Sequence, residues 1–113
     1  MPSGQVYKVL GQSCPGNTNA TDIYTVPSAT ETVVSCITVC NITTTAYTYR
    51  IAIRPAGATL ANQHYIAYDV TIAANDSTTL VLGITLAATD VITVRSSNAT
   101  SVSFSAFGCE LTA

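Results

Sequence analysis

Charge is what this sequence has least of: 9% of its 113 residues are charged, against about 25% in an ordinary soluble domain. The four cations, Lys8, Arg50, Arg54 and Arg95, are scattered along the chain, and the net charge is −2. Nucleic acid is therefore not an expected partner, because non-specific affinity comes from clustered cations that displace phosphate counterions. Tryptophan is absent and His64 is the one histidine, which leaves little material for acid–base catalysis or a histidine-built metal centre. No apolar run reaches the ~18 residues of a membrane span. The opening MPSGQVYKVLGQ lacks a charged n-region followed by an apolar h-region, so no secretory signal is expected and the chain is read as made in a cytoplasm.

What is present is apolar and hydroxylated. Apolar residues make up 48% of the chain, and threonine, a strand former with a branched Cβ, supplies much of the polar surface. A surface with so few charges has weak electrostatic protection against association, which suits a protein built to associate. Asn-x-Ser/Thr triplets begin at Asn19, Asn41, Asn75 and Asn98. In so threonine-rich a chain they are read as chance and not as glycan acceptors.

The dominant period is two, the mark of strands with one buried face. Within Ala46 to Arg54, Tyr47, Tyr49, Ile51 and Ile53 point one way, and Thr48, Arg50, Ala52 and Arg54 the other. Thr78 to Leu86 alternates in the same manner, as does Ser101 to Cys109, with Val102, Phe104 and Ala106 on one face. Further strands are expected at Gln5 to Leu10, Asp22 to Val26, Thr32 to Ile42, Tyr65 to Ile72 and Val91 to Arg95. Turn chemistry separates them at Pro15-Gly16-Asn17, Pro27-Ser28, Pro55-Ala56-Gly57, Asn75-Asp76-Ser77 and Ser97-Asn98. About eight strands at this spacing predict an all-β, antiparallel two-sheet sandwich of jelly-roll type, forming one domain over residues 1–113. Residues 1–20 read as a strand with a loop or arm over Gly11 to Thr21. Such an arm could add a strand to a neighbouring chain, although packing at the edge of its own sheet is the commoner arrangement.

The segments YKVLGQ with a following YTVP, RIAIRPAGA running to HYIAYDVTIAANDS, and LGITLAATDVITV followed by SFSAFG resemble a family of small virion proteins of tailed bacteriophages. The resemblance spans nearly the whole chain and rests on strand-and-turn patterns with no chemical group at their centre. It implies a β-sandwich that acts as an oligomer, in the manner of capsid cement or decoration proteins or of small neck and tail components. No functional residue is carried over, since the pattern contains none. Four cysteines lie outside it.

Those cysteines, Cys14, Cys36, Cys40 and Cys109, are the only potential metal set. On one strand Cys36 and Cys40 would share a face roughly 13 Å apart at about 3.3 Å per residue, too far for a disulfide. Cys14 and Cys109 remain as cross-strand partners for them. The C-x₃-C spacing on a strand suits zinc poorly, and free thiols packed as small hydrophobes are the ordinary alternative.

His64 follows Asn62 and Gln63 at the entrance to a strand and is expected to be a surface or hydrogen-bonding residue. No G-x-S-x-G elbow accompanies it. The six carboxylates are dispersed, several at turns where Asp bonds nearby amides. Tyr7, Tyr24, Tyr47, Tyr49, Tyr65 and Tyr68 could form a sugar-binding platform, although core or interface packing explains the Tyr47/Tyr49 pair better. Arg50 and Arg54, four apart on one outward face, could pair with acidic groups of a partner.

The expected function is that of a non-enzymatic virion structural protein without a cofactor. It would be a cement protein that binds the major capsid protein lattice as an oligomer such as a trimer, located in the phage particle. Tyr7, Val9, Leu10, Arg50 and Arg54 are the candidate interface residues. The alternatives are a neck, tail or head-fibre component, or a receptor- or glycan-binding module.

Overall fold

The alternating apolar and hydroxylated residues do form strands. The computed structural model describes residues 4–112, and among them eight strands account for most of the chain. They are β1 (Gly4–Ser13), β2 (Thr21–Thr25), β3 (Thr30–Asn41), β4 (Tyr47–Arg54), β5 (Tyr65–Ile72), β6 (Ser77–Leu86), β7 (Val91–Ser96) and β8 (Val102–Thr112). Two short 3₁₀ turns, Pro55–Gly57 and Asn62–His64, lie between β4 and β5.

A first sheet has the order β1-β8-β3-β6 and a second β2-β7-β4-β5, with every pairing antiparallel. Strand 1 pairs with 8, 2 with 7, 3 with 6 and 4 with 5. The chain is thus one long antiparallel ribbon, closed at the β4–β5 end and rolled over on itself, which is jelly-roll topology.

Between the sheets lie Val34, Ile37, Val39, Tyr49, Ile51, Ile92, Val94, Val102, Phe104 and Ala106, all essentially inaccessible. Tyr49 meets Phe104 edge to face across the sandwich, with ring centroids 6.2 Å apart. Two glycines let backbones approach where a side chain would not fit. A Cβ on Gly11 would fall 2.0 Å from the Ile23 carbonyl oxygen, and one on Gly108 would fall 2.1 Å from that of Val33.

The expected loop is shorter than Gly11 to Thr21, because β1 continues to Ser13, still paired with β8. Over its described length β1 lies against its own sheet and not apart from it as an arm. The remaining loop is pinned: the Thr100 amide donates to the Pro15 carbonyl at 2.8 Å, and Arg95 Nε donates to that of Thr18 at 2.7 Å.

At one end of the core, Tyr24 is buried with its hydroxyl 2.5 Å from Glu110 Oε2 and 2.8 Å from Thr32 Oγ1. Tyrosine has one O–H, which goes to the carboxylate, so Thr32 donates to the phenol oxygen. Burial first, then the hold of Glu110 on the proton, pushes the Tyr24 phenol up to about 12. Asn41, 1% exposed, satisfies its whole amide at the opposite end. It donates to the carbonyls of Thr45 and Ile72 and accepts from the amide and hydroxyl of Thr43. The second Asn-x-Ser/Thr position is accordingly a buried cross-link between strands.

Candidate interaction surfaces

Each sheet has one face in the core and one facing outward, and the outward faces are where a partner would meet the protein. On the first sheet the registers align residues into rows across strands. Val81, Cys36, Phe107 and Val9 form one row. Thr85, Val33, Cys109 and Tyr7 form the next. Val81 is 83% exposed, Tyr7 80% and Val9 47%. Beside them lies a hydroxyl row, in which Gln12 Nε2 donates to Ser105 Oγ at 3.2 Å and the Thr38 and Thr79 hydroxyls are 3.3 Å apart. None of these residues carries a charge.

Leu10 does not belong to this face. It is 8% exposed and part of the core, which corrects its expected place beside Tyr7 and Val9. The reason is the alternation itself: with Tyr7 and Val9 outward, Leu10 falls on the inner face. The β-bulge between Val9 and Gly11 interrupts the alternation only after it, so that Gly11 also faces the second sheet.

The thiols are all free. In both registers of β3 the residue opposite a cysteine is something else: Phe107 and Val81 for Cys36, Ser103 and Ser77 for Cys40. Cys14 follows Ser13, which faces Phe104, and Cys109 lies five positions further along β8, about 16 Å at ~3.3 Å per residue. Cys14 is exposed, Cys36 and Cys40 are half-buried and Cys109 is buried. Among the described residues no three His, Cys, Asp or Glu side chains converge as a metal site requires.

The second sheet's outer face is built differently. Arg54 is a hub whose Nη2 meets both oxygens of Asp22 at 2.9 Å. Its Nε donates to Thr93 Oγ1, and its Nη1 donates to the carbonyls of Gly57 and Ala58. Thr93 in turn donates to Asp22 at 2.8 Å. Asp90 accepts from the amides of Ala56 and Ala87, so the connection after β4 is tied down over the sheet. Ala52 and Thr93, although outward-pointing, are buried as a result.

Arg50 stands directly opposite Arg95, an unfavourable pairing of like charges. The two guanidinium groups turn away from each other, Arg95 to the Thr18 carbonyl and Arg50 to Asp69. Arg50 Nε and Nη2 donate to the two Asp69 oxygens at 2.6 and 3.1 Å, a bidentate pair. That pair holds the Asp69 carboxyl below the usual aspartate range. Its stabilising contribution is therefore present above that range and fades as pH falls through the lowered value. Arg50 and Arg54 both lie on the expected face, but their charge is neutralised within the chain and their side chains are only 20% and 17% exposed.

His64 is buried, and its Nδ1 accepts the Ala61 amide at 3.0 Å. The ring thereby closes the short turn that leads into β5.

No family model matches the chain, and no curated protein does. Solved structures do resemble it. A chain from a study describing Bacillus endospore appendages as a family of disulfide-linked pili is 13% identical, with a TM-score of 0.54 over 98% of this chain and 87% of that one. A chain from the acid-stable capsid of Helicobacter pylori bacteriophage KHP30 is 17% identical, with a TM-score of 0.50 over 97% and 93%. At such identities the likeness establishes a shared fold: a whole-chain, two-sheet β-sandwich.

Proposed function

We propose that this chain is a non-enzymatic structural subunit of a phage virion, a cement or decoration protein that self-associates and binds the capsid lattice through the outer face of its first sheet. The observation that carries the reading is the uncharged surface in which Tyr7, Val9, Phe107 and Val81 lie in adjoining rows with three of them largely exposed. A partner covering such a surface removes apolar area from water without desolvating a charge. Many weak contacts repeated over a shell then add through multivalency. The resemblance of the strand segments to small virion proteins and the likeness in fold to a phage capsid chain support the same reading. Light scattering at micromolar concentration should give an oligomer, and a clean monomer would count against self-association. Heads lacking the protein should open at a higher temperature once it is added back. Failure to bind heads would sink the cement role in favour of a neck or tail position.

A second reading, a subunit of a covalently linked fibre, is favoured by the exposure of Cys14 and the half-exposed Cys36 and Cys40. The pilus-like neighbour, described as disulfide-linked, is consistent with it. Ladders of multimers on a non-reducing gel of native particles, collapsing on reduction, would distinguish this reading from the first.

A further inference from the structure

The edge of the second sheet carries a site that assembly through the first sheet leaves unused. Asn62, Tyr65 and Tyr68 line an open pocket of about 500 Å³. It exists because β5 is irregular. Ala67 faces Ile51 and Val70 faces Tyr49, so two residues, Tyr68 and Asp69, stand opposite the single Arg50. This bulge, with Asp69 in the left-handed region at φ 50°, turns both side chains onto the outer face. Strict alternation would have sent one of them inward.

The result is a rigid aromatic corner. Tyr65 and Tyr68 meet edge to face with centroids 4.9 Å apart and planes at 81°. The Arg50 guanidinium lies 4.0 Å from the Tyr68 ring centre and 5.9 Å from that of Tyr65, a cation–π contact on an arginine already fixed by Asp69. Tyr68 remains 55% exposed, so the corner presents aromatic surface held in one orientation without further ordering.

The electrostatics select the ligand. Arg50 and Asp69 cancel, so the pocket offers no net charge to a phosphate, a nucleotide or a cation. A purely apolar ligand would cover the polar Asn62 side chain that lines the pocket without pairing it. A ligand with an apolar face to lie on a ring and a rim of neutral hydroxyls satisfies both requirements. That description fits a sugar ring. We propose that the Asn62/Tyr65/Tyr68 pocket binds a terminal residue of a neutral saccharide. Tyr68 would act as the stacking platform, and the Asn62 amide would pair with the hydroxyls.

The test is a ¹H–¹⁵N titration of the full chain with the methyl glycosides of glucose, galactose, mannose and N-acetylglucosamine. The expected result is saturable shifts confined to residues 62–69 and Arg50 for at least one of them. Tyr68→Ala, checked for folding by circular dichroism, should weaken the binding about tenfold or more. Tyr68→Phe, which keeps the ring, should weaken it less. Absence of shifts with all four glycosides would overturn the proposal. So would shifts that survive Tyr68→Ala, or stronger shifts of the same amides by a charged sugar or by ATP.

Discussion

The two outer faces of this sandwich are made from the same poor supply of charge and use it in opposite ways. The second sheet gathers three of the four cations, and each is answered within the chain: Arg54 by Asp22, Arg50 by Asp69, Arg95 by the Thr18 carbonyl. Its central positions are buried under the tethered connection between β4 and β5. The first sheet has no such cover. Its two central outer rows are uncharged, with Glu31 exposed in the row beyond them, and Val81 and Tyr7 stand in solvent. Its own cation, Lys8, reaches Glu110 at 3.4 Å, at the end of the core. A face whose polar groups are already satisfied needs no partner for stability, whereas an exposed apolar face gains by acquiring one. The contrast points to the first sheet as the assembly surface and leaves the second free to carry a separate site.

The largest expected effect breaks the comparison by removing the first sheet's support. Gly108→Ala would place a methyl 2.1 Å from the Val33 carbonyl oxygen and 3.1 Å from a Leu10 methyl. It should cost about 3 kcal/mol or more, read as a lowered urea midpoint or loss of soluble protein. Arg54→Met tests whether the second face is self-contained. It strips Asp22, Thr93 and two carbonyls of their shared donor and should cost about 1–2 kcal/mol, with proteolysis appearing first in residues 55–61.

Smaller still is a pH effect at the junction of the sheets. The Tyr24 phenol titrates near 12 when folded and near 10 when unfolded, so between those values the unfolded chain has released a proton that the folded one keeps. Stability should hold up to about pH 10 and fall as pH rises toward 12. Tyr24→Phe should flatten that slope, leaving a smaller part from Tyr49, whose phenol is also raised by burial. The least effect on stability is expected from Val81→Ser, within about 0.5 kcal/mol, yet it should shift the oligomer toward monomer. Unchanged assembly would remove the first sheet's claim to be the interface.

The strand plan was legible because alternation is a local property. Seven of the eight expected strands lie within two or three residues of the observed ones, and Tyr65–Ile72 coincides. The inward set of β8, Val102, Phe104 and Ala106, and that of β4 were readable for the same reason. What alternation could not show is where it stops. The bulge after Leu10 turns Gly11 inward beside it where alternation would have sent it out, and the bulge at Tyr68 and Asp69 built a pocket from residues that looked unrelated. Asn41 read as a chance glycan triplet and is a buried, fully bonded cross-link. The outward position of Arg50 and Arg54 was evident, but their partners Asp69 and Asp22 are 19 and 32 residues away in the chain, and proximity at that separation has no local signature.

By itself, then, the sequence determined the architecture: a period of two, β-branched residues and well-placed turn chemistry require two sheets closed over an apolar centre. Only the tertiary structure decided which face keeps its charges to itself and which is left exposed. Register, bulges and the rolled ribbon bring residues from distant strands into one row, and a single misplaced residue of register would exchange inside for outside.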